Sequence, residues 1–171
     1  GNGTLVVDLW RAVARVAGSR AALEVHLIET SPALRHIQSE RLAALGQCHW
    51  HEDLASLPTD WPLLLVANEL FDALPIRQFV KEAEGWREVE VALDDRRRLC
   101  LARSAALSPL TPQLGAAATG SVVEVSPARE TLMAAIAERL AAQGGTALII
   151  DYGELEPTPG STLQAVHRHR K

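Results

Sequence analysis

Cysteine is scarce: Cys48 and Cys100 are the only two in 171 residues, with neither a C-x-x-C pair nor a dense framework. That pattern excludes a disulfide-stapled scaffold and fits reduced, partly buried thiols in a reducing compartment. No apolar run approaches the length of a membrane span, and the start lacks a charged region followed by an apolar stretch, so the chain reads as soluble. There is no basic excess either. The formal net charge is −4, the isoelectric point is near 5.9, and the arginines are scattered rather than gathered into an arm. That composition gives no footprint for a nucleic-acid partner. What is present is 47% hydrophobic content, enough for one domain with a real core.

The organising stretch is WPLLLVANELFDALP, residues 61–75. Leu63, Leu64, Leu65 and Val66 are apolar without alternation, which predicts a strand covered on both faces in a parallel sheet. Ligands gather at the carboxyl ends of strands in open α/β sheets, placing Asn68, Glu69 and Asp72 where chemistry is expected. A helical turn beginning near Glu69 would put Glu69 and Asp72 on one face. Read locally, Asn68 and Asp72 are also ordinary turn and cap residues, and Pro75 a helix stop.

At the start, Gly1 and Gly3 precede the periodic segment Leu5, Leu9, Ala12, Val13, Val16. A glycine turn feeding a helix allows close approach of a ligand to backbone N–H groups, and an ordinary N-cap reads the same way. Leu23 to Ile28 predicts a buried strand closed by Glu29-Thr30-Ser31-Pro32. Leu34, Ile37, Gln38 and Leu42 then mark a helix, with Ser31 as N-cap and Pro32 in the first turn. An acid at the end of the second strand after a glycine turn is where ribose hydroxyls are held, and Glu29 occupies it. Gln47 to Trp50 predicts a short strand with Asp53 beyond its end, within reach of an adenine amino group. His49 and His51 share a face of that strand, but no third ligand is spaced to complete a metal site, so no metal is expected.

Residues 76–103 change texture, with apolar stretches separated by Glu84-Gly85 and Asp94-Asp95, which predicts an antiparallel meander inserted into the βα rhythm. Its charges read as a solvated face. Residues 104–120 read as a loop with one helical turn at most. The βα texture then returns: a strand over Ser121 to Val125, a helix from Ser126-Pro127 to about Ala142 stopped by Gly144-Gly145, and a buried strand over Thr146 to Ile150. Asp151-Tyr152-Gly153 ends it with polar residues. Tyr152 reads equally as a packed aromatic or a ligand contact, and the tail with His167 and His169 shows no periodicity.

The strings ANELFDALPIRQF, VVEVSPARETL and LIIDYGE, in this order, together with HLIETSPALRHIQ and STLQAVHRHR, resemble the MidA-like family of S-adenosylmethionine-dependent methyltransferases. The resemblance runs over nearly the whole chain. It implies an α/β fold of the class I methyltransferase kind, a Rossmann-like sheet with S-adenosylmethionine bound across its strand ends. It also implies that Gly1 and Gly3 belong to the glycine-rich loop, Glu29 is the ribose acid and Asn68-Glu69 the motif after the strand. Because mitochondrial members methylate a protein arginine in complex I assembly, a protein substrate is implied, with a respiratory complex I subunit as the indicated partner. The matching locations are the mitochondrial matrix in a eukaryote and the cytoplasm in a bacterium. Glu69 and Asp72 are then the candidate catalytic carboxylates, suited to orient a guanidinium and accept its proton.

Measured against that family, the first strand, the opening glycine and acid of the loop, and segments at both ends are lacking, so the sequence reads as a partial methyltransferase domain over residues 1–171. Two other readings share the same features: a non-catalytic assembly scaffold retaining the fold, and an NAD-type oxidoreductase domain. The FDALP stretch and the antiparallel insertion argue against the latter.

Overall fold

A computed structural model of the chain describes residues 1–13, 15–16, 22–110, 114–153 and 160–163. His167 and His169 lie outside the described residues. The chain divides into two compact units, one comprising Gly1–Leu63 with Glu138–Gly145, the other Leu64–Ala137 with Thr146–Lys171.

In the first unit, helix α1 (Thr4–Val13) begins directly after Gly3, whose carbonyl accepts the first helical bond from Val7 at 3.2 Å. Strand β1 (Val25–Ile28) runs parallel to β2 (Cys48–His51), paired from Val25 with Cys48 to Ile28 with His51. Helix α2 (Pro32–Leu42) joins them. It forms as its sequence predicts: the Ser31 hydroxyl accepts from the Leu34 amide, and Pro32 sits in the first turn, where no amide partner is required. Leu27, Leu42, Leu54 and Leu57 make the core, and one polar side chain, Gln38, is buried with them.

Strand β3 (Leu63–Asn68) pairs with β8 (Gly145–Ile150). The Leu63 amide donates to Gly144 O and the Glu69 amide to Ile150 O, a constant sequence offset that only parallel strands keep. The expectation of a strand covered on both faces is corrected here. Leu63, Leu65 and Ala67 turn inward, while Leu64 and Val66 are 61% and 40% exposed, beside equally open Leu148 and Ile150 on β8. An unbroken apolar run cannot reveal this, because the alternation lies in the environment and not in the residues.

The second unit also holds a four-stranded antiparallel sheet ordered β6-β5-β4-β7, from β4 (Arg77–Lys81), β5 (Trp86–Leu93), β6 (Leu99–Arg103) and β7 (Val122–Val125). The first three form a meander whose charges are largely paired: Arg77 grips Glu88 through two bonds of 2.7 and 2.6 Å, Glu82 receives Arg87 and Arg103, and Arg98 bonds Asp94. The fourth strand corrects the reading that Val122–Val125 resumes a parallel rhythm. It pairs antiparallel with β4, Val80 facing Val122 and Arg77 facing Val125; four apolar-rich residues carry no signal of direction. Fully buried Phe79 and Trp86 anchor this sheet, and the Trp86 indole donates to Gly115 O at 3.0 Å. Helix α3 (Pro127–Gln143) precedes β8 and ends at Gly144 and Gly145, both in the left-handed region.

Candidate functional site

The carboxyl ends of β1 and β2 carry the first group of candidate residues. Glu29, one residue beyond β1, has a side chain 14% exposed; its Oε1 accepts the Ser31 amide at 2.9 Å and its Oε2 accepts Gln38 Nε2 at 3.2 Å. Each oxygen retains a lone pair, so the carboxylate is fixed yet able to accept a further hydroxyl. The same Gln38 Nε2 donates to Gly1 O at 2.7 Å, and Gln38 Oε1 accepts the Trp50 indole at 2.8 Å. One buried amide thus ties together the glycine turn, the acid and β2. Gly3 is buried with φ +88, a conformation open chiefly to glycine, and presents the start of α1 to the same region. Arg35 holds the strand ends in place, donating to Glu29 O at 2.5 Å and His51 O at 3.0 Å. Sequence reasoning did not assign Gln38 to the site. The available signal was a lone amide on an otherwise apolar helix stripe.

Asp53 lies exposed in the turn after β2, where Oδ1 accepts the Ser56 amide at 2.9 Å. That bond and the Ser56 hydroxyl hold its carboxyl below the ordinary range. The third imidazole missing from the sequence spacing is present in space: parallel register sets His26 beside His49, with ring centres 4.9 Å apart, and His26 Nδ1 lies 2.9 Å from His51 Nε2. The rings stack and bond to one another instead of converging. Among the described residues no group of three His, Cys, Asp or Glu is arranged to hold a metal ion.

In the second unit the segment after β3 is a series of bends and turns, not a helix, which corrects the shared helical face considered for Glu69 and Asp72. Asp151 pins the segment to the end of β8. Its Oδ2 accepts the amides of both Phe71 and Asp72, at 2.8 and 3.1 Å, and Oδ1 accepts that of Tyr152. Desolvation pushes that carboxyl up, but the three amides and the nearby Arg129 outweigh it, and Asp151 titrates below its usual range. Arg129 Nε donates to Phe71 O at 2.6 Å, and the Ser126 hydroxyl donates to Pro75 O at 2.7 Å. Held at both ends, the segment carries Glu69 with φ +49, a left-handed backbone that a glutamate adopts only under constraint and that recurs at working sites. Asn68, Glu69 and Asp72 are all exposed. Tyr152 is not packed: it is 79% exposed, and its hydroxyl donates to Glu69 Oε1 at 3.4 Å.

A parallel β-α-β pair, preceded by a glycine turn opening onto a helix and followed at its first strand by a fixed acid, is the plan of Rossmann-like cofactor-binding domains. A family described as "Putative S-adenosyl-L-methionine-dependent methyltransferase" matches residues 1–171. The chain belongs to that methyltransferase family, and its α/β fold is that of a class I methyltransferase.

Among curated relatives, the mitochondrial protein arginine methyltransferase NDUFAF7 of Homo sapiens is 33% identical over 99% of this chain and 44% of its own length. The Mus musculus counterpart is 31% identical with the same coverage. A solved structure from Burkholderia thailandensis, described as a COG1565 superfamily member and likely methyl transferase bound to S-adenosyl-homocysteine, superposes with a TM-score of 0.72. It is 28% identical and covers 90% of this chain and 40% of its own. The chain therefore spans less than half the length of the relatives it matches.

Proposed function

We propose that the protein to which this chain belongs transfers a methyl group from S-adenosylmethionine to an arginine of a protein partner, with a respiratory complex I subunit as the partner if the protein is mitochondrial. The observation that carries the reading is the Glu29–Gln38–Gly1 arrangement at the end of β1. The relatives' names supply the substrate class. Bound S-adenosylmethionine supplies an electrophilic sulfonium methyl, and such a site needs chiefly to align the reactants and exclude water. Glu29 accepts the ribose hydroxyls, Gly1 and Gly3 bring backbone close to the cofactor, Asp53 accepts from the adenine amino group, and Asn68 closes the strand end. Glu69 and Asp72 orient the guanidinium and take up its proton, which a group with a pKa above about 12 does not release unaided. The location that follows is the mitochondrial matrix in a eukaryote or the cytoplasm in a bacterium.

Two measurements test this. Calorimetry should show binding of S-adenosylmethionine and not NAD, weakened by about 1 to 3 kcal/mol in Glu29→Gln through loss of a charge-assisted bond. Preference for NAD, or unchanged affinity in Glu29→Gln, rejects the cofactor assignment. Labelled cofactor with cell extract should then place label on protein arginine, and Glu69→Gln or Asp72→Asn should cut transfer by about a hundredfold while cofactor affinity stays near wild type. Label on lysine, or equal labelling by both variants, rejects the substrate or the carboxylate roles respectively.

A further inference from the structure

Tyr152 is the only tyrosine in the chain, and it stands on the surface, 79% exposed. A tyrosine ring usually buries its apolar body and keeps only its hydroxyl wet. The backbone beneath this one is fixed. Its amide donates to Asp151 Oδ1 at 2.8 Å, while Oδ2 of the same carboxylate accepts the Phe71 and Asp72 amides. The Glu69 amide donates to Ile150 O at 2.8 Å, so the carboxyl ends of the neighbouring strands β3 and β8 set Glu69 beside Tyr152. The ring is therefore presented outward from a held backbone, at the strand ends where ligands gather in open α/β sheets.

The one polar contact of the phenol is with Glu69, its hydroxyl donating to Oε1 at 3.4 Å. That bond is long and leaves Oε2 untouched, so the carboxylate can still receive two parallel N–H bonds. Among the described residues no cation pairs with the carboxylate of Glu69 or of Asp72, whereas Glu82, Glu88 and Asp94 of the meander all have arginine partners. An unneutralised carboxylate beside an open aromatic face suits a flat cation. A guanidinium can lie on the ring and bond the carboxylate through its edge at once. An ammonium is a compact, strongly hydrated point charge without that planar fork.

We infer that Tyr152 contacts the substrate, its ring stacking on the guanidinium that Glu69 holds through paired N–H bonds, so that the two side chains form a seat preferring arginine to lysine. This role rests on the arginine reading above and adds to it the side chain that tells a guanidinium from an ammonium. Glu69 supplies the charge and Tyr152 the flat surface.

Because the tyrosine is single, a chain carrying isotope-labelled tyrosine gives one set of ring signals in nuclear magnetic resonance. Titration with Nα-acetylarginine amide should move them saturably, with a dissociation constant of about 1 to 10 millimolar, and should show cross-relaxation between the ring protons and the δ-methylene of the probe. Nα-acetyllysine amide should bind at least about fivefold more weakly. Read on the probe's own signals, Tyr152→Phe should keep arginine affinity within about twofold because the ring face remains, and Tyr152→Leu should weaken it about fivefold. Glu69→Gln should weaken it about tenfold. No saturable shift, equal affinity for the lysine probe, or wild-type arginine affinity in Tyr152→Leu overturns the seat. Arginine binding at Tyr152 in a full-length protein that labels no arginine rejects the transferase reading and leaves the seat; arginine labelling without contact at Tyr152 rejects the seat and leaves the transferase reading.

Discussion

Replacing Gln38 by leucine removes the amide that joins Gly1, Glu29 and Trp50 while nearly preserving volume. Two neutral bonds of about 1 kcal/mol each and one to a carboxylate of about 2 kcal/mol are lost, those to Gly1 O, Trp50 Nε1 and Glu29 Oε2. Gly1 is exposed and Glu29 half-buried, so water recovers part of this, and the added apolar burial recovers a little more. The expected net cost is about 2 kcal/mol. With a urea dependence of about 1 to 3 kcal/mol per molar, the unfolding midpoint should fall by roughly 1 M. Because the same bonds aim Glu29 and hold the glycine turn, S-adenosylmethionine affinity, measured below the unfolding transition, should drop by about tenfold. An unshifted midpoint would show that the buried amide contributes no net stability. A shifted midpoint with full affinity would show that Gln38 supports the fold without positioning the site.

Two further outcomes follow from the geometry. A Cβ at Gly145, where φ is +116, would fall 2.0 Å from Leu63 O and 2.6 Å from Leu63 N, so Gly145→Ala should cost more than about 3 kcal/mol in thermal unfolding or abolish soluble protein. Gly46→Ala, with φ +99 but open space, should cost only about 1 to 2 kcal/mol, and equal effects would refute the steric argument. Desolvation depresses His26 below its ordinary 6.5, helped by His49 and His51 and opposed by Glu24. In the window between that value and the lower folded one, the unfolded chain binds more protons. Stability should therefore be full above pH 6.5 and fall as pH drops through the folded value. His26→Asn should flatten that slope in urea titrations; an unchanged slope would remove His26 as its source.

Most individual elements were legible because their causes are local. Ser31 and Pro32 start α2, Gly144-Gly145 end α3, and the apolar runs at 25–28, 63–68 and 145–150 become strands where the residues demand them. Glu29, Asn68, Glu69 and Asp72 came into view before any geometry because each follows an apolar run, and the family strings, which sit in the sequence whatever the fold does, matched Glu29, Asn68 and Glu69. Pairing decided the rest. Parallel register alone brings His26 beside His49, and it takes the meander's β4 to turn Val122–Val125 into an antiparallel strand. Gln38 becomes the keystone of the first unit only when helix α2 lays it between Gly1 and Trp50, and Asp151 constrains the segment bearing Glu69 across some eighty residues of sequence. Backbone direction, the partner of a buried amide and a glutamate's left-handed φ depend on atoms distant in the chain. Hydrophobic period and capping chemistry are set by near neighbours and carry no information about them.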